Sequence, residues 1–556
     1  QYPVEDWLFN AEYPMIRWLE RNGYDVSYCT NIDTDRYGAE LLEHEVFLSV
    51  GHDEYWSRAM RENVTAARDA GVHLAFFSGN EIYWKVRWED SIDGAATPFR
   101  TLVCYKEGNL GENQCFDKCD PVADVWTGLW RSGCDWTPPA DGCEPENALS
   151  GQISWMGTTG AITVPAAYSH LPFWRNTSVA TLTPEQTATF PGGTLGYEWD
   201  FEQYEEFYPA GRIRMSETNR DGQTHHLSLY RAASGALVFG AGTVQWSWGL
   251  DTFHDRTGGA EDARMQQATV NLFADMGAQP GTLQAGLVAA TQLTDADAPT
   301  SAITFPAGGE TFEVNTTVTV LGTAADTGDA GAALVEVSTD GGATWQPADG
   351  LESWAFSWTP TASGTVTLLS RAMDASFNVE TPGTGVQVTV DPRECPCTVW
   401  SDATLPGTAS VSDASDLELG MKFQTDIDGY ITAIRFYKGP DNTGTHTGHL
   451  WDAATQALLG SVTFSGETAA GWQEAPLNPA VPVTANTTYI VSYHAPNGRY
   501  AFDNGYFATS GVDNPPLRAL AEGEDGSNGV YGPANTFPTQ TFESSNYWVD
   551  ARFHTS

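Results

Sequence analysis

The chain of 556 residues is short of positive charge: 27 Lys and Arg stand against 71 Asp and Glu, a net charge of −44. Phosphate backbones are held by clustered bases, so a generic nucleic-acid surface is excluded. An anionic membrane is a poor partner for the same reason. Acidity of this size favours solubility, as in a salty or calcium-containing medium, and says little about fold. No run approaches the roughly 18 apolar residues of a transmembrane helix, so no membrane span is expected. Catalytic signatures are scarce too. There is no G-x-S-x-G elbow, H-E-x-x-H, Walker loop or G-x-G-x-x-G. With 71 acids, chance pairs such as those in WDFEQYEE (199–206) are the default. A two-carboxylate glycosidase therefore cannot be argued from them.

Cysteine is sparse and unevenly placed. Of eight, Cys104, Cys115, Cys119, Cys134 and Cys143 crowd one loop-rich insertion, Cys395 and Cys397 sit in ECPC, and Cys29 stands alone. No pair has the C-x-x-C spacing of a zinc ribbon, which favours disulfides over zinc and implies export to an oxidising compartment. A secreted, extracellular protein is expected, and the start at Gln1 reads as a processed or trimmed product. Disulfides are expected within residues 104–143, with a tether at Cys395 or Cys397. Those two are not expected to join each other, because so short a loop is strained.

Length and aromatics, by contrast, are ample. A chain of 556 residues with 20 Trp, 55 Gly and 30 Pro suggests about three or four domains, β-rich and full of turns. In residues 1–285, YPMIRWLERNG places Met15, Ile16, Trp18 and Leu19 at helical spacing and stops at Gly23. YDVSYCT then reads as a strand, HEVFLSV as a second, SRAMRENVTAARDAG as a helix and VHLAFFSG as a third strand. This succession predicts a parallel sheet with helices outside. Loops and short strands follow through the Cys-rich insertion (about 100–195), ending in GALVFGAGTVQWSWG and the helix ARMQQATVNLFADMG. Short alternating strands in 296–392 predict an immunoglobulin-like β-sandwich, and 398–556 a second, larger one. Acids and loop carbonyls in these C-terminal domains would suit Ca2+. Trp451, Trp472, Tyr493 and Tyr500 read as core in preference to sugar-stacking platforms. The expected fold class is therefore multidomain: an α/β domain with a β-rich extension, then two all-β sandwiches.

Two strand ends carry the candidate chemistry. SVGHDEYWS (49–57) follows the apolar VFL, and FFSGNEIYW (76–84) closes the next strand with a similar string. Open parallel sheets bind ligands at that edge, where His52, Asp53, Glu54, Tyr55, Asn80, Glu81 and Tyr83 would converge. Each residue alone has a structural reading: Asp53 or Ser57 could cap the helix, and the aromatics could cover the sheet end. The two strings together favour function. DTFHD (251–255) reads as a solvated loop.

EYPMIRWLERNGYDVSYCTNID, VFLSVGHDEYWS, FFSGNEIYW, GYEWD and GALVFGAGTVQWSWGL resemble, in that order, the large subunit of N,N-dimethylformamidase and its secreted relatives. The resemblance spans most of residues 5–280. It implies a glutamine-amidotransferase-like α/β domain, one Fe(III) held by two tyrosine phenolates and a glutamate, and hydrolysis of an amide. Carried onto this chain, the metal ligands fall on Tyr13, Tyr55 and Glu198. Phenolate and carboxylate are hard donors that suit Fe(III), and three ligands leave room for water and a carbonyl oxygen. His52, Glu54 and Asn80 are the catalytic candidates that would orient the water or relay a proton. The family's HPEYW reads HDEYW here, its Gly-Asn-Gly segment reads SGNEIYW, and LYRAASGALVF has no acid at Arg231 to Ala233. These departures count against dimethylformamide as substrate and leave open a different small-molecule amide, a glycan-related substrate or a catalytically dead scaffold. The third domain resembles a family of unknown function that recurs at the C-termini of extracellular bacterial enzymes. A second class of reading stays open: a non-catalytic extracellular protein that binds, or self-assembles as a homo-oligomer, through its sandwiches.

Overall fold

The computed structural model describes residues 8–106, 120–122, 125–131, 144–153, 157–203, 205–256, 258–328, 330–391, 395 and 397–555. The chain divides into two compact units, one of residues 1–310, 318–358 and 365–389, the other of 311–317, 359–364 and 390–556.

In the first unit, helix α1 (Tyr13–Arg21) forms where expected, with Pro14 in the first turn, where its missing N–H is no loss. Gly23 follows at φ +67 and turns the chain out. The strand expected over YDVSYCT does not form, since residues 24–30 carry no regular structure. Its alternation serves packing and capping instead. Tyr24 stacks on Trp18 and meets Phe273 edge-on, Tyr28 is 60% exposed, and Thr30 closes a capping box on the short helix Asn31–Arg36.

Strand β1 (Val46–Gly51), helix α2 (Arg58–Asp69) and strand β3 (His73–Ser78) match the sequence reading, while the short strand β2 (Tyr55–Ser57) forms where only a strand-to-helix turn is expected. The cap of α2 is Ser57, whose Oγ accepts from the Met60 N–H at 3.1 Å. Strands β4 (Trp84–Glu89), β5 (Ile213–Arg214), β6 (Ser228–Arg231) and β7 (Leu237–Gly240) follow. The main sheet runs β1-β3-β7-β6-β5, parallel across β1, β3 and β7 and antiparallel beyond. β3 lies inside this sheet because HLAFFS is apolar on both faces. Leu74 and Phe76 pack with Met60, Val64 and Ala67 of α2. Ala75 and Phe77 pack with Trp18 of α1 and with Phe273 of α3 (Ala263–Asp275).

The same unit holds two further sheets. Strands β8 (Thr300–Phe305), β9 (Val318–Ala325) and β11 (Ser353–Trp358) share one, while β10 (Ala332–Ser338), β12 (Gly364–Asp374) and β13 (Val386–Asp391) share the other. β9 alternates buried and exposed residues along its whole length, the period of a half-buried strand. The carboxylates of Asp295, Asp326 and Asp374 come within 4.8 Å of one another.

The second unit is also built from two sheets. One contains β14 (Leu417–Thr425), β16 (Thr447–Asp452) and β18 (Tyr489–Ala495); the other is β17 (Gly471–Val483), β15 (Gly429–Lys438) and β19 (Val549–His554). Phe423, Ile434, Phe436, Tyr493 and Phe553 fill its core. Trp451, Tyr493 and Tyr500 are 6%, 0% and 9% exposed, so they belong to the interior. Trp472 is half-buried and packs against Trp400 and Trp548. Among the described residues no helix is long and apolar enough to cross a membrane.

The cysteine expectation needs correction. Cys395 and Cys397 are bonded to each other, their Cα atoms 4.7 Å apart, inside the usual disulfide range of about 4.4–6.8 Å. Cys29 and Cys104 are free thiols, so Cys104 does not take part in a disulfide of the insertion. Cys115, Cys119, Cys134 and Cys143 lie outside the described residues. Peptide mapping after alkylation of denatured, unreduced protein is expected to label Cys29 and Cys104. Cys395 and Cys397 should be labelled only after reduction; labelling of either beforehand would contradict the bond.

Candidate functional site

Close backbone approaches place three sequence strings together. β1 ends at Gly51, φ +80, where a Cβ would lie 2.8 Å from that of Ala11. β3 is followed by Gly79, where a Cβ would lie 2.9 Å from Thr243 Cα, too tight for any larger residue. Asn80 and Ile82 then adopt φ +53 and +56. Left-handed backbone costs a non-glycine residue about 1–2 kcal/mol, and β-branched Ile82 is the rarer case. Two hydrogen bonds tie the first strings together, Ile82 N–H to Asp53 O at 3.0 Å and Trp84 N–H to Glu54 O at 2.8 Å. GYEWD (196–200) docks on the segment after β7 through Val244 N–H to Glu198 O at 3.2 Å and Asp200 N–H to Gly242 O at 2.9 Å.

The centre comprises His52, Glu54, Asn80 and Glu198. His52 Nε2 bonds Glu198 Oε2 and lies 3.5 Å from Glu54 Oε1. Asn80 Nδ2 donates to Glu54 Oε1 at 3.0 Å and to Glu198 Oε2 at 3.2 Å. Ligand atoms of His52, Glu54 and Glu198 lie within 4.8 Å of one another. Burial opposes the His52 imidazolium, yet the hydrogen bond and charge of Glu198, then Glu54 and Asp53, carry its pKa above the ordinary value. Burial also raises Glu54, with Glu198 adding to the rise and His52 opposing it. Tyr197 stacks along the His52 ring at 6.1 Å and carries the Arg256 guanidinium 5.3 Å above its own face.

The two candidate phenols are placed differently. The Tyr55 hydroxyl hydrogen-bonds Glu54 and Lys106, at the border of the cluster. Burial raises its pKa against the pull of Lys106, whose ammonium lies 5.4 Å over the Tyr55 ring and 4.8 Å over that of Trp84. Tyr13 opens α1 between Phe9, at 5.4 Å, and Phe253, at 6.0 Å, and its hydroxyl bonds Arg17. The loop DTFHD is less solvated than its composition suggests. Asp251 is 2% exposed and pairs with Arg17 and Arg21, while His254 stacks on Trp248 at 4.0 Å.

Sequence reasoning named Glu81 only among the residues at the strand ends and passed over Asp200, the second acid behind this centre. Asp200 and Glu81 are each 1% exposed and hydrogen-bond one another. Burial holds Asp200 well above the carboxylate range and lifts Glu81 to about 7. Glu146 of the insertion is buried nearby and pairs with Arg131. The acids of GYEWD and SGNEIYW were visible in the sequence, but nothing in the strings tells which acid faces inward.

An imidazole, carboxylates and a phenol thus meet at the ends of parallel strands. Residues 1–262 match the family model described as N,N-dimethylformamidase beta subunit-like, C-terminal. Residues 299–369 match a bacterial Ig domain and 403–549 a domain of unknown function. The N,N-dimethylformamidase beta subunits of an Alcaligenes species and of Paracoccus aminophilus are 36% and 34% identical over 84 residues, 14% of this chain and 11% of each relative. The chain thus spans about a tenth of the length of the curated relatives it matches. Fibronectin(III)-like modules of Clostridium thermocellum CbhA align at 21% identity over 16% of this chain and 94% of that one, TM-score 0.15. A putative membrane anchored protein from Corynebacterium diphtheriae aligns at 11% identity over 74% and 85%, TM-score 0.15.

Proposed function

We propose that this chain is an exported, metal-dependent hydrolase of amide C–N bonds built on an amidotransferase-like α/β layer. The observation that carries the reading is the meeting of His52, Glu54 and Glu198 ligand atoms within 4.8 Å at the strand ends, bridged by Asn80. The donor set fits a hard ion: the carboxylate oxygens of Glu54 and Glu198 converge, with the Tyr55 phenol on Glu54. Glu198, Tyr55 and Tyr13 are the residues that would hold Fe(III), as the resemblance to the amidase implies. When bound, such an ion supplies a Lewis acid for the substrate carbonyl and makes water acidic enough to attack it.

The chain's own groups supply the proton handling. Glu54, whose pKa burial raises, takes the proton of the attacking water, protonated His52 gives one to the departing amine nitrogen as the C–N bond breaks, and the proton on Glu54 then restores His52 across 3.5 Å. Glu54 and Glu198 hold that imidazole in place and stabilise its charged form. Asn80 spends both hydrogens of its amide on the two carboxylates, which keeps them from turning apart. The absence of an acid at Arg231 to Ala233 supports an amide other than dimethylformamide as substrate.

Protein loaded with Fe(III) should show the visible charge-transfer colour of an iron phenolate, and Tyr55→Phe should weaken or shift that band. A wild-type chain that stays colourless and takes up no iron after loading sinks this reading in favour of a non-catalytic scaffold.

A further inference from the structure

The segment after β3 is held in a conformation that β-branched Ile82 resists. Gly79 is pressed against Thr243 and Val244, while Asn80 and Ile82 both stand in the left-handed region at φ +53 and +56. Such backbone persists only where surrounding groups impose it, and it clusters at functional sites. The Asn80 N–H donates to Asp200 Oδ1 at 2.9 Å. Asp200 is 1% exposed, is fixed by its own N–H on Gly242 O, and shares a hydrogen bond with Glu81, which is equally buried. Meanwhile the side chain of Asn80 bridges Glu54 and Glu198. One carboxylate therefore grips the backbone of the residue whose side chain aligns the two acids of the centre.

We propose that Asp200 is a positioning residue: it clamps the Gly79–Ile82 elbow and so fixes the Asn80 carboxamide between Glu54 and Glu198. It touches no substrate and acts through Asn80, and its functional meaning rests on the amide-hydrolase reading above. The requirement is for an acceptor at Oδ1 and not for charge, so Asp200→Asn retains the clamp and Asp200→Ala releases it.

The test uses the full chain with two readouts. The first is hydrogen–deuterium exchange of the peptide covering residues 77–84, measured without metal. The second is iron affinity, read by competition with a chelator. Asp200→Ala is expected to speed exchange in that peptide and to weaken iron binding by about 10–100-fold, as loss of an outer partner of a metal ligand does. Asp200→Asn should keep both near wild type. Wild-type exchange in Asp200→Ala overturns the clamp, as does an Asp200→Asn as impaired as Asp200→Ala. Should Asp200→Ala fail to fold, Asp200→Asn decides alone: near-wild-type exchange and affinity uphold the proposal, and a tenfold loss overturns it. Should the wild type take no iron, the hydrolase reading falls, while the exchange comparison still decides the clamp.

Discussion

Glu198→Ala is expected to lose iron by more than the roughly 100-fold that removal of an outer partner costs, and to lose amide hydrolysis with it. Glu198 is the acid on which the other groups of the centre converge: His52 bonds it, Asn80 donates to it at 3.2 Å, and Glu54 lies in the same cluster. Its removal takes one negative charge from a crowded pair, so Glu54 should ionise more readily and His52 should hold its proton less firmly. The fold should survive, because the backbone of GYEWD stays docked through Val244 and Gly242. Iron titration against a chelator, with an unfolding scan on the same sample, separates the two effects. A Glu198→Ala protein that binds iron like wild type removes Glu198 from the ligand set. Glu198→Gln, which keeps an oxygen but not the charge, should fall between.

The largest stability effect is expected at Glu202→Ala, about 3–5 kcal/mol, because it leaves buried charge without a partner. Glu202 accepts from Arg212 at 2.6 Å and from Arg214 at 2.9 and 2.7 Å, with His226 at 3.8 Å. Arg212 is 9% exposed and also donates to Gly151 O. Burial alone would raise the Glu202 pKa, but Arg212, His226 and Arg214 outweigh it and hold the carboxyl at about 2. The sign follows from linkage. A folded pKa below the unfolded value of about 4.3 gives stability that is present above that pH and is lost as pH falls towards 2. Calorimetry of wild type and Glu202→Gln should therefore diverge at pH 7 and converge as the pH falls through about 4 to 2. A constant difference across that range would show that the carboxylate's charge is not what stabilises the unit.

Some of this architecture was legible residue by residue. VHLAFFSG read as a strand of a parallel sheet, Ser57 as one of two candidate helix caps, and TVTVLGTA (317–324) as a short alternating strand. These features depend on neighbours a few positions away, so local pattern suffices to read them. YDVSYCT failed on the same grounds. Its alternation is genuine, but whether alternation becomes a strand depends on a partner ladder supplied from elsewhere in the chain. The bond between Cys395 and Cys397 escaped an argument from loop length because the backbone there brings the two Cα atoms to 4.7 Å.

The candidate site divides along the same line. The sequence by itself determined that His52, Glu54 and Asn80 stand at the ends of neighbouring parallel strands, because strand periodicity and the βαβ succession leave them no other edge. It also determined the acidity of the chain and the order of its domains. Glu198, 144 positions beyond Glu54 (198 − 54), entered the site only through the family resemblance, and only the tertiary structure decided that it meets His52 and Glu54 there, that Asp200 and Glu81 lie behind it, and that Glu202 two residues later belongs to a pair of arginines instead. In a chain with 71 acids, the identity of an acid says nothing about its role. The role is set by burial and by which donor lies within about 3 Å, and both are properties of packing between segments far apart in sequence.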